Sequence, residues 1–264
     1  TLSVNAGVTS NPTYQWRKNT VNIAGATSSS YTIPVTVAGD AGNYDVVVSS
    51  SNAGCNTPVT SSTVTLTINT APVIGTQPLT QTVCEGSANV TFSVVATGAG
   101  LSYQWKKNGV DIAGATASSY VIATAATADA GTYTVQVSGT CTPPVTSTGA
   151  VLTINELPEI TVQPVSQTVC EGQGVTLTVN AGVTGNPTYQ WRKGGVNIVG
   201  ATGSSYTIAT TVAADAGNYD VVVSSSNAGC NTPVTSSTVT LTINTAPVIG
   251  TQPLTQTVCE GSAN

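Results

Sequence analysis

Apolar residues alternate with small polar ones over short runs: Val90-Thr-Phe-Ser-Val94, Thr63-Val-Thr-Leu-Thr-Ile68 and Ala150-Val-Leu-Thr-Ile154. A period of two puts one face of a strand on a core and the other in water. Asn108-Gly109 after Trp105 marks a two-residue hairpin. The prolines of Pro72-Val-Ile-Gly-Thr-Gln-Pro78 confine that stretch to a sheet edge. Further strands are expected at Thr1-Leu-Ser-Val-Asn5, Ser119-Tyr-Val-Ile122 and Thr132 to Val137. The pattern predicts an all-β chain.

The runs recur. Residues 1–89 align with 176–264 at an offset of 175 without a gap; nine positions differ and 80 are identical. Such a period decides the architecture before any local detail. The 175-residue unit is itself two diverged domains, so the chain divides into 1–70, 71–156, 157–245 and 246–264. The first is expected to lack its opening strand, and the last to be only the opening strand of a fourth domain, within a longer array. The F–G loop carries the length difference between the two complete copies: Tyr133 to Leu152 is shorter than Tyr219 to Leu241. Junctions such as Ile154-Asn-Glu-Leu-Pro158 leave almost no linker, and short Pro-containing junctions favour a semi-rigid arrangement.

Each copy carries one Trp in a Tyr-Gln-Trp strand and one Asp-x-Gly-x-Tyr corner: Trp16 with Tyr44, Trp105 with Tyr133, Trp191 with Tyr219. This frame resembles the immunoglobulin-like β-sandwich, in which the Trp packs between two sheets and the Tyr anchors the corner into strand F. The resemblance implies tandem immunoglobulin-like β-sandwich domains in a head-to-tail array, with these six aromatics as structural core. One departure stands out. Where antibody-type domains pair two core cysteines, this chain has Val4, Val94 and Val179 facing Val46, Val135 and Val221. Both partners have become apolar together, which leaves the sandwich intact and excludes an antibody-type domain.

The six cysteines lie elsewhere. Cys84, Cys170 and Cys259 precede the Glu-Gly turn before strand B, and Cys55, Cys141 and Cys230 sit in F–G loops. Regular pairs per repeat suggest a disulfide framework and an oxidising setting. Pairing within a domain, Cys84–Cys141 and Cys170–Cys230, meets a geometric objection if the sandwich topology holds. The two loops then lie at opposite ends, separated by a strand of roughly 20 Å, whereas a disulfide needs Cα atoms within about 7 Å. Head-to-tail stacking favours Cys84 with Cys230 across a joint. The partners of Cys55, Cys141, Cys170 and Cys259 are then expected outside residues 1–264. Intradomain bridges, reduced thiols and interchain bridges are the alternatives.

Charge and chemistry narrow the function. The net charge of −5 gives no basic field for phosphates, so nucleic acid is not an expected partner. All six basic residues follow a core Trp (Arg17, Lys18, Lys106, Lys107, Arg192, Lys193) and read as the exposed end of strand C. No apolar run is long enough to span a membrane. His is absent, which removes Ser–His–Asp and Cys–His catalysis, so no enzyme is expected. Asp40, Asp129 and Asp215 read as turn caps, as do Glu85, Glu171 and Glu260. No cofactor is expected; the junction residues Glu156 and Glu159, with Glu171, are too few and too little repeated for calcium. The F–G loops, such as Ser49-Ser-Ser-Asn-Ala-Gly-Cys55, lack aromatics for sugar stacking.

Together, Tyr-Gln-Trp, Asp-x-Gly-x-Tyr, Val-Cys-Glu-Gly and the repeat length are similar to the tandem Ig-like repeats of large bacterial surface and secreted proteins. That resemblance implies an extracellular fibre or adhesin stalk whose partners are further copies of the repeat. Neighbouring filaments or host ligands would be engaged through regions beyond these residues. The other expectation is a multivalent array binding carbohydrate or protein through its loops.

Overall fold

The structure, a computed structural model, describes residues 1–7, 9–54, 56–182, 184–227 and 229–261. It is all-β apart from three short 3₁₀ turns, at Ala38–Asp40, Thr127–Asp129 and Ala213–Asp215. The fold is a tandem series of immunoglobulin-like β-sandwiches. Two compact units are present. One comprises Thr1–Leu79, Thr91–Tyr120 and Thr132–Ala150; the other comprises Thr80–Val90, Val121–Gly131 and Val151–Asn264. The division passes through the second repeat.

The third repeat shows the sandwich in full. Strand Pro187–Lys193 pairs antiparallel with Gly217–Ser225, with Trp191 opposite Val221. Gly217–Ser225 also pairs with Val239–Asn244, which in turn carries Gln167–Cys170 in parallel along its other edge. The facing sheet is the antiparallel pair Val175–Thr178 with Ser205–Ile208. Alternation in these strands matches burial: Val175, Leu177 and Val179 face inward while Thr176 and Thr178 face out. Trp191, Tyr219, Val221, Val223 and Leu241 are almost wholly buried between the sheets, with Ile160 and Val169 packed against them. A buried Val contributes roughly 1.5–3 kcal/mol, so Val179 and Val221 replace a covalent link with packing.

The first repeat builds the same sheet from Pro12–Lys18 and Gly42–Ser50, with Trp16 opposite Val46, and Val64–Leu66 alongside. Leu2–Ser3 pairs with Ser30–Tyr31. In the second repeat, Ser102–Lys107 pairs with Gly131–Ser138, with Trp105 opposite Val135. Its Gln81–Cys84 runs parallel to Ala150–Asn155, with Cys84 opposite Asn155.

The tail repeats a stretch that forms strands elsewhere in the chain. Residues 246–261 form no strand, although the same sequence at 71–86 includes the strands Val73–Thr76 and Gln81–Cys84. A strand exists only when its backbone groups find partners. The copy at 71–86 has them in Val95–Thr97 and in the strand ending at Asn155.

The corner Tyr of the third repeat gives a pH signature. Burial pushes the Tyr219 phenol up to about 12, with Tyr206 and Asp215 adding to the shift. An ordinary tyrosine ionises near 10, so the folded state holds this proton more tightly than the unfolded chain. The resulting stability is complete below pH of about 10 and is lost as pH rises from there toward about 12. Alkaline titration followed by tyrosinate absorbance and Trp fluorescence is expected to show unfolding in that interval. Tyr219→Phe removes the contribution of this residue and flattens the alkaline limb.

Candidate functional site

The structure offers a joint as its candidate site rather than a cleft. Cys84, at the end of Gln81–Cys84, is disulfide-bonded to Cys230 in the F–G loop of the third repeat, with Cα atoms 5.4 Å apart at a sequence separation of 146. Both lie in the same compact unit. The bond therefore joins the second repeat to the third and spans no single sandwich. Local backbone bonds hold each end. Ser87 N–H donates to the Cys84 carbonyl, Glu85 N–H to Asn155 O, and Cys230 N–H to Asn227 O. Cys230 itself is fully buried.

Among the described residues Cys141, Cys170 and Cys259 carry no disulfide. Cys141 is half-buried and its thiol donates to the Asn69 carbonyl at 3.3 Å. Cys170 and Cys259 are exposed. Cys55 lies outside the described residues.

The aromatic frame rigidifies each sandwich beneath the joint. Trp191 Nε1 donates to Gly203 O and Trp16 Nε1 to Ser28 O, each at 3.0 Å. The Tyr219 hydroxyl donates to Asp215 O and the Tyr44 hydroxyl to Asp40 O, each at 2.7 Å. Asp40 and Asp215 cap their 3₁₀ turns, accepting from the amides of Val37 and Val212. Tyr206 stacks between Trp191 and Tyr219 with ring centroids 6.3 and 6.0 Å away. Glu171 also behaves as a cap, accepting from Ala213 N–H at 3.2 Å.

Two features escape the sequence pattern. The Gln of Tyr-Gln-Trp uses its amide nitrogen to hold two carbonyls at once, as Gln190 does with Trp191 O and Ile198 O at 2.8 Å each. Its spacing before Trp was visible, but an amide beside an aromatic gives no hint of direction. The basic pairs are tied down as well. Arg17 pairs with Asp45 at 2.6 Å and Arg192 with Asp220 at 2.5 Å. Hydrogen bonding to the carboxylate raises each guanidinium above its ordinary pKa. Lys193 lies over the Tyr219 ring, 5.7 Å from its centroid, and donates to Ala214 O. Gly217 permits this: it has a φ of +147° and a Cβ there would lie 3.1 Å from Lys193 Cε. Lys18 and Lys193 thus close their E–F corners, at Gly39 O and Ala214 O.

Among the described residues no group of three or more Asp, Glu, Cys or His gathers as a metal site. Among the described residues no helix is long and apolar enough to cross a membrane.

Loss of the joint disulfide should be separable from loss of the fold, because no core aromatic depends on it. Cys84→Ser with Cys230→Ser is expected to keep native Trp fluorescence while lowering resistance to denaturant. The chain-entropy limit for so long a loop is about 5 kcal/mol. A double variant that loses Trp burial in buffer would contradict this division.

Comparison with known proteins agrees with this geometry. Residues 158–225 match the family model described as "Immunoglobulin domain". A decoration protein of Escherichia phage T5 is 48% identical over 62 residues, which are 23% of this chain and 38% of that protein. The chain thus spans well under half of that relative's length. A three-domain Ig fragment of the titin I-band aligns with a TM-score of 0.68 at 17% identity, covering 89% of each chain. Sidekick-1 immunoglobulin domains 1–4 align with a TM-score of 0.51 at 24% identity, covering 89% of this chain and 68% of that one. At such identities the solved structures establish the fold, and that fold is the tandem immunoglobulin-like sandwich.

Proposed function

We propose that this chain is a structural repeat segment of an extracellular bacterial fibre or adhesin stalk, extending from the cell surface as a semi-rigid rod. The observation that carries the reading is the Cys84–Cys230 bond, which ties one repeat covalently to the next. A disulfide at a repeat boundary serves little purpose in independent binding modules but resists separation under load. It also suits an oxidising compartment outside the cell. Near-identity of 1–89 with 176–264 supports the same role, since a length-setting element can be lengthened by copying. The partners in this reading are further copies of the repeat in the same chain, with adhesion left to other regions. Nucleic acid, membrane insertion and bound cofactors play no part.

A second reading, a multivalent array that binds carbohydrate or protein through its loops, draws on the likeness to the phage decoration protein. It would gain affinity by avidity.

The two are separated by a series carrying increasing numbers of repeats. The structural reading expects the maximum dimension in small-angle scattering to grow linearly, by roughly 40 Å per repeat as strand length dictates. It also expects reduction to shorten the mean extension. Dimensions that grow as for a flexible chain, with glycan or surface-protein binding that strengthens per repeat, would favour the binding array.

A further inference from the structure

The first and third repeats are near-identical, and where they differ is not random. Of the nine positions at which residues 1–89 differ from 176–264, seven lie between 19 and 39, a stretch of less than a quarter of the length compared. Each of the seven is exposed in both copies. The matching positions 108, 109, 113, 117, 123, 124 and 128 are exposed in the second repeat too, which has a repeat on either side. Drift of surface residues would spread over both sheets, yet most exposed residues are unchanged between the copies. Four of the changes follow one edge: Ala24, Ser28, Pro34 and Val35 become Val199, Gly203, Ala209 and Thr210.

That edge belongs to a strand paired on one side only. Ser205–Ile208 pairs with Val175–Thr178, and among the described residues no strand lies along its other side. The cause is local. Only seven residues separate Val196–Asn197 from Ser205–Ile208, and they are spent crossing between the sheets. Ile198 N–H donates to Trp191 O, and Trp191 N–H donates to Ala201 O. No length is left for a further strand, and the second repeat has the same interval between Val110–Asp111 and Ser119–Thr124. Register decides which backbone groups are free. Val179 N–H donates to Ser204 O, so residues 204, 206 and 208 turn their backbone groups toward the partner strand. Ser205 and Thr207 turn theirs outward.

A groove of about 360 Å³ lies against this edge, lined by Val199, Ala201, Gly203, Ser205, Tyr206 and Thr207. Its chemistry narrows the occupant. None of these residues is charged, so an uncharged guest fits and an ionic one finds no partner. The half-buried Tyr206 ring stacks between Trp191 and Tyr219, which leaves no aromatic face for a sugar. A second copy of the chain would need matching walls, and the walls are what differ, Val199 and Gly203 standing where the first repeat has Ala24 and Ser28. An extended backbone suits the outward N–H and C=O groups of Ser205 and Thr207, because an open strand edge is a template for strand addition.

We propose that the free edge of Ser205–Ile208 binds an extended, uncharged peptide segment of another protein as an added strand. The guest's main chain pairs with the backbone of Ser205 and Thr207 and supplies the affinity. Its side chains alternate. One set points into the groove toward Val199, Gly203 and Tyr206, and the other lies beside the exposed Ser205 and Thr207 hydroxyls. The guest therefore alternates apolar with small hydroxyl residues. Selectivity resides in the walls. Val199, fully exposed, raises an apolar wall and Gly203 leaves space beside it, whereas Ala24 and Ser28 give the first repeat a lower wall and a hydroxyl. Repeats that share one backbone ladder but differ in these walls select different guests along a single chain. The edge and the Cys84–Cys230 joint act independently.

Phage-displayed random peptides are selected against the oxidised 264-residue chain, and the recovered sequences are made as free, end-capped peptides. Hydrogen exchange read by mass spectrometry should show each peptide slowing the amides of Ser205 and Thr207, in a segment 199–208 that differs in sequence from its copy at 24–33. Thr207→Pro removes one outward N–H at a place where an edge strand tolerates proline. Binding should fall by about tenfold or more with circular dichroism unchanged. N-methylation of alternate guest amides should abolish binding in one phase and spare it in the other. Val199→Ala with Gly203→Ser installs residues that the first repeat already carries, and should change which peptides bind while the fold persists. A selection that yields no peptide sensitive to Thr207→Pro would overturn the proposal. So would guests indifferent to N-methylation in both phases, a glycan that protects this segment where peptides do not, or self-association of the chain through this edge. None of these outcomes bears on the Cys84–Cys230 joint.

Discussion

The second and third sandwiches are each closed by one covering strand laid parallel along the last strand. Cover is present in the third repeat, where Gln167–Cys170 lies along Val239–Asn244, and the core beneath it is closed. It is present in the second repeat too, where Gln81–Cys84 lies along Ala150–Asn155. Backbone pairing and side-chain burial are gained together at that edge. The covering strand also carries the cysteine that reaches the next repeat. Closing one core and joining two repeats are therefore tasks of a single segment.

Within each sandwich the stack of Trp, Tyr and corner Tyr makes the fold independent of disulfides. Trp191, Tyr206 and Tyr219 form a continuous aromatic layer, and Val179 with Val221 fills the space beside it. The cysteines are thereby free to act at the boundary. This division explains why a fold so often held by a core disulfide carries its bridge here in a loop. The charged residues follow the same economy of position. The arginines and lysines after each Trp serve Asp45, Asp220 and the 3₁₀ corners rather than solvent alone.

Much of the fold was legible because the repeats state the same pattern three times. Period-two runs, one Trp and one Asp-x-Gly-x-Tyr corner per copy specify a sandwich with its core aromatics. The joint was legible only through an assumption about which loop ends face each other across a boundary, since cysteine spacing alone also allows Cys84–Cys141. What the sequence concealed was conditional structure. Residues 246–261 have the same composition as 71–86, yet only the latter form strands, because pairing partners rather than propensity decide a covering strand. The double hydrogen bond of Gln190 and the placement of Lys193 over Tyr219 were likewise hidden. They depend on side-chain direction across strands far apart in sequence.

The central claim is that covalent bonds in this chain run between repeats and leave each core to packing. Non-reducing peptide mapping of the oxidised protein, with fragmentation of the linked species, addresses it most directly. A peptide pair joining Cys84 to Cys230 is the predicted result. A pair joining Cys84 to Cys141, or Cys170 to Cys230, would contradict the claim and make each repeat a separately stapled domain.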